Sequence, residues 1–269
     1  MNSQEKLARL REILAEIGSA LIAYSGGADS SFLAFIAGEV LGQRALAVFE
    51  YSPVCPPEER DEAESLAKKL GIRYLKIESN ELQNPLFVAN TPDRCYYCRQ
   101  ELFHKLREIA AAEKIDWIID GSNFDDQDDF RPGRRAAAEL GIRSPLCEAG
   151  LTKDEIRRLS RGLALPTWDK PASPCLASRI PYGTHVTQEI LSTINEGEKY
   201  LKSLGIRELR LRHHGDIARI EVDKEGMALL QDDVTRRETV SKLKSLGFTY
   251  VTLDLAGFRS GSLNEKLLE

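Results

Sequence analysis

The sequence lacks any run approaching the ~20 apolar residues that cross a bilayer. It also lacks an excess of basic charge, with 37 Lys+Arg against 42 Asp+Glu and a formal net charge of −5. The first absence argues against a membrane-spanning helix, and the second against a nucleic-acid binder held mainly by bulk positive charge. No internal repeat or low-complexity tract interrupts the 269 residues, and 42 % hydrophobic with 29 % charged residues lies far from the composition of disorder. The N-terminal stretch has apolar residues at Leu7, Leu10, Ile13, Leu14 and Ile17, an amphipathic helix without the h-region or cleavage site of a leader. A cytoplasmic location is expected. The five cysteines, Cys55, Cys95, Cys98, Cys147 and Cys175, are an odd number, which disfavours a disulfide framework and raises metal or redox chemistry instead.

What is present is an alternation. Short apolar runs at Ala20–Tyr24, Ala45–Tyr51, Ile72–Ile77 and Trp117–Asp120 read as strands, separated by helix-like segments such as Pro57–Leu70 and Cys98–Ala112. This pattern predicts an α/β fold: a parallel sheet with helices on both faces, binding its ligand at the carboxyl ends of the strands. Between Gly162 and Gly183, Pro166, Pro171, Pro174 and Pro181 break any long element, and we read a junction there. Beyond it, helical patterns at Thr187–Leu204 and Val234–Leu246 accompany alternating runs at Glu208–Arg212, Ile217–Val222 and Tyr250–Leu255, enough for a small α+β domain. The expected organisation is a first domain over 1–165, a cysteine-bearing junction over 166–185 and a second domain over 186–269.

The sharpest motif is the strand ending at Tyr24, the turn Ser25-Gly26-Gly27-Ala28-Asp29-Ser30-Ser31 and the apolar helix after it. Adjacent glycines let a ligand approach the backbone, and the following helix aims unpaired N–H groups and its positive dipole end at the same point. Phosphate is the expected guest. The lysine of a GxxxxGK[ST] loop is missing, so ordinary γ-phosphoryl transfer is not indicated. A second candidate, Asp120-Gly121-Ser122-Asn123 followed by Asp125, Asp126, Asp128 and Asp129, sits at another strand end. So many carboxylates repel one another unless cations compensate, so Mg²⁺ held with nucleotide phosphates is a reasonable use, while for any single aspartate a plain solvated acidic loop is the better reading. Arg131 or Arg134 is available for the carboxylates or for phosphate.

Cys95-Tyr96-Tyr97-Cys98 places two thiols within reach of one metal, and Cys175 lies in the Pro-rich tract. Three thiolates leave a structural zinc site short of its fourth ligand unless His or Cys147 supplies it, whereas they leave one corner of a cubane iron–sulfur cluster open. A redox pair or two core cysteines remain alternatives, and Cys55 and Cys147 read as structural.

SGGADS at Ser25–Ser30 resembles the pyrophosphate loop of the ATP pyrophosphatase superfamily, which splits ATP between its α and β phosphates. Over nearly its full length the chain resembles the LarE family of ATP-dependent sulfur transferases. The shared blocks are NTPD at Asn90–Asp93, DGSNFDDQDDFRPG at Asp120–Gly133, SRIPYGT at Ser178–Thr184, EKYLKSLG at Glu198–Gly205, RLRHHGDIARIE at Arg210–Glu221 and YVTLDLAGFRSG at Tyr250–Gly261. The resemblance implies a PP-loop domain and adenylylation of the carboxylates of a pyridinium mononucleotide, which become thiocarboxylates in nickel-pincer nucleotide synthesis. It implies ATP and Mg²⁺ as cofactors, and homo-oligomers. Members with a single sacrificial cysteine would carry it at Pro174, one position before Cys175. This chain therefore resembles the branch in which Cys95, Cys98 and Cys175 hold a 4Fe-4S cluster that delivers exogenous sulfide.

Carried onto this sequence, the expected catalytic residues are Cys175, Glu198, Asp29 and Arg99. ATP is expected at Ser25, Gly26, Gly27, Asp29, Ser30, Asp120, Gly121, Asn123 and Arg131, with Mg²⁺ at Asp29 and Asp128. The substrate phosphate is expected at Ser178, Arg179, Arg210 and Arg212. The rival readings are a tRNA thiolation enzyme of the same superfamily, disfavoured by the net acidity, and a non-catalytic ATP or metal sensor. No nucleic-acid or membrane partner is expected.

Overall fold

The computed structural model describes residues 1–127, 132–259 and 261–267. In chain order it has α1 (Ser3–Ile17), β1 (Ala20–Tyr24), α2 (Ala28–Leu41), β2 (Ala45–Tyr51), α3 (Pro57–Lys69), β3 (Tyr74–Glu78), α4 (Pro85–Val88), α5 (Arg94–Ala112), β4 (Trp117–Asp120), α6 (Pro132–Glu139), α7 (Pro145–Glu148) and α8 (Lys153–Gly162). Then follow α9 (Gln188–Ser203), β5 (Leu209–His214), β6 (Ile217–Val222), α10 (Lys224–Gln231), α11 (Asp233–Ser245) and β7 (Tyr250–Leu253), with short 3₁₀ turns between elements. Two compact units result: Met1–Glu81 with Pro92–Ser173, and Leu82–Thr91 with Pro174–Glu269. Relative to the expected segments, residues 166–173 pack with the first unit, and Leu82–Thr91 packs with the second. Among the described residues no helix is long and apolar enough to cross a membrane.

The first unit is the expected parallel sheet, in the order β3-β2-β1-β4, with Ala20 level with Ala45 on one side and Trp117 on the other. β1 and β2 are apolar almost throughout because helices cover both their faces. Ala20, Ile22 and Tyr24 point into a core shared with α1, α2, α3 and α8, while Leu21, Leu46 and Val48 point the other way onto Phe103, Leu106 and Ala110 of α5. α1 starts in a capping box, with the Asn2 side chain accepting from the Glu5 amide and the Glu5 carboxylate from that of Asn2, and buries the predicted stripe from Leu7 to Ile17. α8 starts in a second box, Thr152 with Glu155, and Lys6 pairs with Glu155 at 2.7 Å.

One strand of the first unit differs from the reading, while in the second unit β5 runs two residues further and β7 stops two residues earlier than expected. β3 begins at Tyr74 rather than Ile72, because Ile72 completes the end of α3: its N–H reaches the Ala67 carbonyl while Gly71, at φ +65°, donates to Lys68. The apolar side chain belongs to a helix-ending Schellman turn and not to the ladder.

In the second unit β5 and β6 form an antiparallel pair and β7 joins β6 in parallel. Leu209, Leu211, Ala218, Ile220 and Val222 fill the face packed with Leu201 and Leu243, so Arg210, Arg212, Arg219 and Glu221 alternate onto the opposite face. α9 approaches β5 so closely that a Cβ at Gly197 would lie 2.2 Å from Leu211 Cδ2. The Leu82–Thr91 segment is tied in by fully buried Asn90, whose Nδ2 donates to the carbonyls of Pro181 and Thr184, both at 2.8 Å, while its own carbonyl accepts the Gly183 N–H. Two of the family blocks, NTPD and SRIPYGT, are thereby bonded to each other.

Candidate active site

At the carboxyl end of β1 the chain turns through Ser25–Gly27 into α2. Gly26 has φ +73°, and a Cβ there would lie 2.5 Å from that of Ala63 on α3, so neither the dihedral nor the space admits another residue. Ser25 and Ser30 hydroxyls lie 3.0 Å apart, and the Ser30 hydroxyl also donates to the Gly27 carbonyl at 3.3 Å. No side chain caps α2, which leaves its first amides to an anion. Gly121 follows β4, and a Cβ on it would lie 3.0 Å from the Ser30 nitrogen, so the two strand ends close on one point.

Asp29, in the first turn of α2, is mostly buried. Burial pushes its pKa above the usual carboxylate value, and nearby Asp126 adds to the push; a hydrogen bond from Asn123 Nδ2 at 3.0 Å, with Lys153 and Arg157 of α8, works against them. Asp120 is held by Ser122 and by the Ser144 hydroxyl at 2.7 Å. The acidic loop is in part structural: Asp125 accepts the Lys153 amide at 2.8 Å, and Asp126 accepts the Asn123 amide at 3.0 Å. Arg134 donates to the Asp126 carbonyl at 2.7 Å, a backbone partner where the sequence suggested a carboxylate or phosphate. Asp128 and Arg131 lie outside the described residues. Arg99, on α5, sits 5.7 Å from the centre of the Phe103 ring, and its charge works weakly against the rise of the Glu50 pKa, which burial and the Glu81 charge push up to about 7.

Sequence reasoning missed three cations around this loop. Lys153 and Arg157 belong to α8, whose signal was the Thr152-x-x-Glu155 capping box. Lys170, in the Pro-rich tract, donates to the Gly26 carbonyl at 3.3 Å and carries no local signature at all.

Cys95 and Cys98 stand one turn apart at the start of α5, and Cys175 immediately precedes the 3₁₀ turn Leu176–Arg179 of the second unit. All five cysteines are partly exposed and outside any disulfide. Among the described residues no three His, Cys, Asp or Glu side chains form a metal-holding group. Cys147 accepts from Gln127 Nε2, and the Cys55 thiol approaches the Pro56 carbonyl at 3.7 Å.

In the second unit Ser178, Arg179, Arg210, Arg212 and Glu198 do come together, around two buried ion pairs. Arg179 and Glu198, 2 % and 3 % exposed, form two parallel bonds of 2.8 Å, and Glu198 also accepts the Leu211 amide at 3.0 Å. Burial opposes the Glu198 charge, yet Arg179, the Leu211 amide and Arg210 together hold its pKa below the usual range. The other guanidinium nitrogen of Arg179 donates to the carbonyls of Pro174 and Cys175 and to the Ser178 hydroxyl, so Glu198 orients Arg179 and Arg179 orients the backbone of Cys175. Arg212 pairs with fully buried Glu221 at 2.9 and 3.1 Å and donates to the Ser178 carbonyl at 2.7 Å; Arg219 adds a further cation on Glu221 at 2.8 Å. Arg210 stacks 4.9 Å over Phe258, and burial, followed by the charge of Arg179, lowers its pKa to about 10. Arg179 and Arg212 thus already carry carboxylates, which the family blocks alone did not disclose.

Residues 4–103 match the NAD synthase family. An uncharacterized protein of Synechocystis sp. is 45 % identical over 264 residues, covering 98 % of both chains. The pyridinium-3,5-bisthiocarboxylic acid mononucleotide synthase of Lactiplantibacillus plantarum is 40 % identical over 265 residues, covering 97 % of this chain and 95 % of that one. The glutamine-hydrolyzing GMP synthase of Clostridium tetani is 26 % identical over 217 residues, 73 % of this chain and 42 % of that one.

Proposed function

The chain belongs to the LarE family, enzymes of the PP-loop ATP pyrophosphatase class, and from that premise we propose that it converts carboxylates of a pyridinium mononucleotide into thiocarboxylates. The observation that carries the reading is the full-length similarity to the Lactiplantibacillus plantarum synthase, which spans both the phosphate loop and the Arg–Glu pairs beside Cys175.

A carboxylate expels oxide too poorly for sulfur to displace it. Activation by ATP solves this: a carboxylate oxygen attacks the α phosphorus, the bond to the bridging oxygen breaks, and pyrophosphate leaves as the acyl adenylate forms. Ser25, Gly26, Gly27 and Ser30 receive the pyrophosphate, with Asp120, Gly121 and Asn123 on the nucleotide side; the family resemblance adds Arg131 to the nucleotide's partners. Asp29, with Asp128, would hold Mg²⁺. The fit rests on a mostly buried carboxylate at the mouth of the phosphate loop, held by a neutral amide, a position that a divalent cation relieves. Sulfide then attacks the acyl carbon and AMP departs.

In the second unit Arg179 and Arg212 act as positioning residues. Arg179 fixes the Cys175 backbone, and Arg212 fixes that of Ser178, where Arg210 and the Ser178 hydroxyl take the substrate phosphate. Cys95, Cys98 and Cys175 would hold a 4Fe-4S cluster, which would supply the sulfide. The donor set suits such a group: three partly exposed thiols, none in a disulfide.

Two measurements test the reading. Pyrophosphate release from ATP should require the pyridinium dicarboxylate mononucleotide, and AMP release should require sulfide as well; release independent of both refutes the reaction. Protein purified without oxygen should contain about four irons with a broad band near 400 nm, lost in Cys95→Ala, Cys98→Ala and Cys175→Ala. A colourless protein after reconstitution with iron and sulfide refutes the cluster and leaves the activation chemistry standing.

A further inference from the structure

The glycine loop has no lysine of its own, yet a lysine reaches it from 144 residues away. Lys170 Nζ donates to the Gly26 carbonyl at 3.3 Å and to Glu62 Oε2 of α3 at 3.1 Å. Its backbone is held on both sides: the N–H donates to Thr167 at 3.1 Å, and the carbonyl accepts Arg157 Nη2 of α8 at 2.9 Å. A cation is thus aimed at the turn by a neighbouring helix, and not by the loop sequence.

Its two partners bind it weakly. The Gly26 carbonyl is neutral, and the Glu62 side chain is 64 % exposed against 21 % for Lys170, so water screens and solvates the carboxylate end of the pair. An ammonium is a point charge with three rotatable donors on a flexible stem, able to change partners without moving its backbone. Gly26 belongs to the turn that receives pyrophosphate, and Glu62 is the immediate neighbour of Ala63, against which Gly26 packs. The lysine therefore spans the short distance between the anion's seat and a substitute anion.

We propose that Lys170 is the cation of the phosphate loop and that Glu62 is its exchangeable counter-ion. This rests on the reading of the loop as an ATP pyrophosphatase site. As the carboxylate oxygen bonds to the α phosphorus and the electron pair of the breaking bond passes to the bridging oxygen, Nζ leaves Glu62 Oε2 for an oxygen of the departing pyrophosphate, keeping its proton. When pyrophosphate diffuses away, Glu62 takes the ammonium back. Glu62 competes with the product for one cation, so it weakens product retention and speeds release.

The test is calorimetric binding of inorganic pyrophosphate and, separately, of AMP at fixed ionic strength, on the full chain as parent, Lys170→Ala, Lys170→Arg and Glu62→Gln. Lys170→Ala should raise the Kd for pyrophosphate at least tenfold and leave that for AMP within twofold, with partial recovery in Lys170→Arg. Glu62→Gln should tighten pyrophosphate two- to fivefold and slow its release after turnover. Two results would overturn the proposal: pyrophosphate affinity within twofold of the parent in Lys170→Ala, or a Glu62→Gln protein that loses pyrophosphate affinity as Lys170→Ala does, the behaviour of a strut that merely shapes the turn. A parent that binds neither ATP nor pyrophosphate would bring down the ATP reading and the proposal together; a parent that binds both, with Lys170→Ala unaffected, brings down the proposal alone.

Discussion

The two units build the regions proposed here to bind anions from different materials. Around the phosphate loop the working parts are backbone amides, short hydroxyls and a glycine that must have φ +73°, with cations borrowed from α8 and the tract after it. Around Arg179 and Arg212 they are charged side chains that face one another across a sheet and a helix, with Glu198 and Glu221 nearly sealed from water. The first kind is rigid because the chain is sterically confined. The second is rigid because separating a buried guanidinium from its carboxylate is costly. A site of the first kind tolerates side-chain change and not backbone change, and one of the second kind the reverse.

Breaking a buried pair should have the largest effect. Glu221→Ala leaves Arg212 facing an uncompensated interior and is expected to cost about 3–5 kcal/mol, read from the shift in denaturant midpoint. Gly26→Ala, which forces a Cβ into Ala63 at positive φ, should cost roughly 1–3 kcal/mol and abolish ATP-dependent pyrophosphate release. A Glu221→Ala protein no less stable than Gly26→Ala would dissolve the contrast between the two regions.

A smaller effect concerns Glu50. Its pKa rises in the folded chain from 4.5 to about 7, burial first and Glu81 second. The folded state therefore binds the proton more tightly, and the stability this contributes is complete below about pH 4.5 and lost as pH rises through about 7. Glu50→Gln should flatten that slope, gaining roughly 1–3 kcal/mol over the parent at pH 8 and little at pH 4.5, in urea melts run across the range. Parallel pH profiles for the two proteins would show that folding leaves the Glu50 pKa where it is in the unfolded chain. The smallest effect is expected at Asn2→Ala, about 0.5–1 kcal/mol from loss of the α1 cap, seen as a fall in melting temperature with ATP chemistry unchanged.

The same contrast explains what the sequence disclosed. β1, the Ser25–Ser31 turn and α2 could be read because the turn's requirements are local, and two glycines between an apolar strand and an apolar helix state them outright. The parallel sheet could be read because full burial of β1 and β2 removes polar residues from both faces. β3 slipped by two residues because Ile72 serves a helix end, and one apolar residue looks the same in either role. The pairing of Arg179 with Glu198 and of Arg212 with Glu221 was not legible: arginines and glutamates are the ordinary stuff of surfaces, and only register, Arg212 level with Arg219 and Arg210 with Glu221, gathers them on one face. Lys170 was hidden for the same reason. Its meaning lies in Gly26 and Glu62, which are distant in sequence.

Asn90 has a consequence for the order in which the chain is made. Its partners, the carbonyls of Pro181 and Thr184 and the N–H of Gly183, leave the ribosome more than 90 residues after it. At ~5–20 residues per second, Leu82–Thr91 waits roughly 5–20 s with its buried-to-be amide in water while the strands around it are already complete in sequence. The second unit is therefore not a tail that can be removed with one cut: a chain stopped after Ser173 carries a stranded ten-residue peptide in its middle, and a chain begun at Pro174 lacks the piece that closes its own turn.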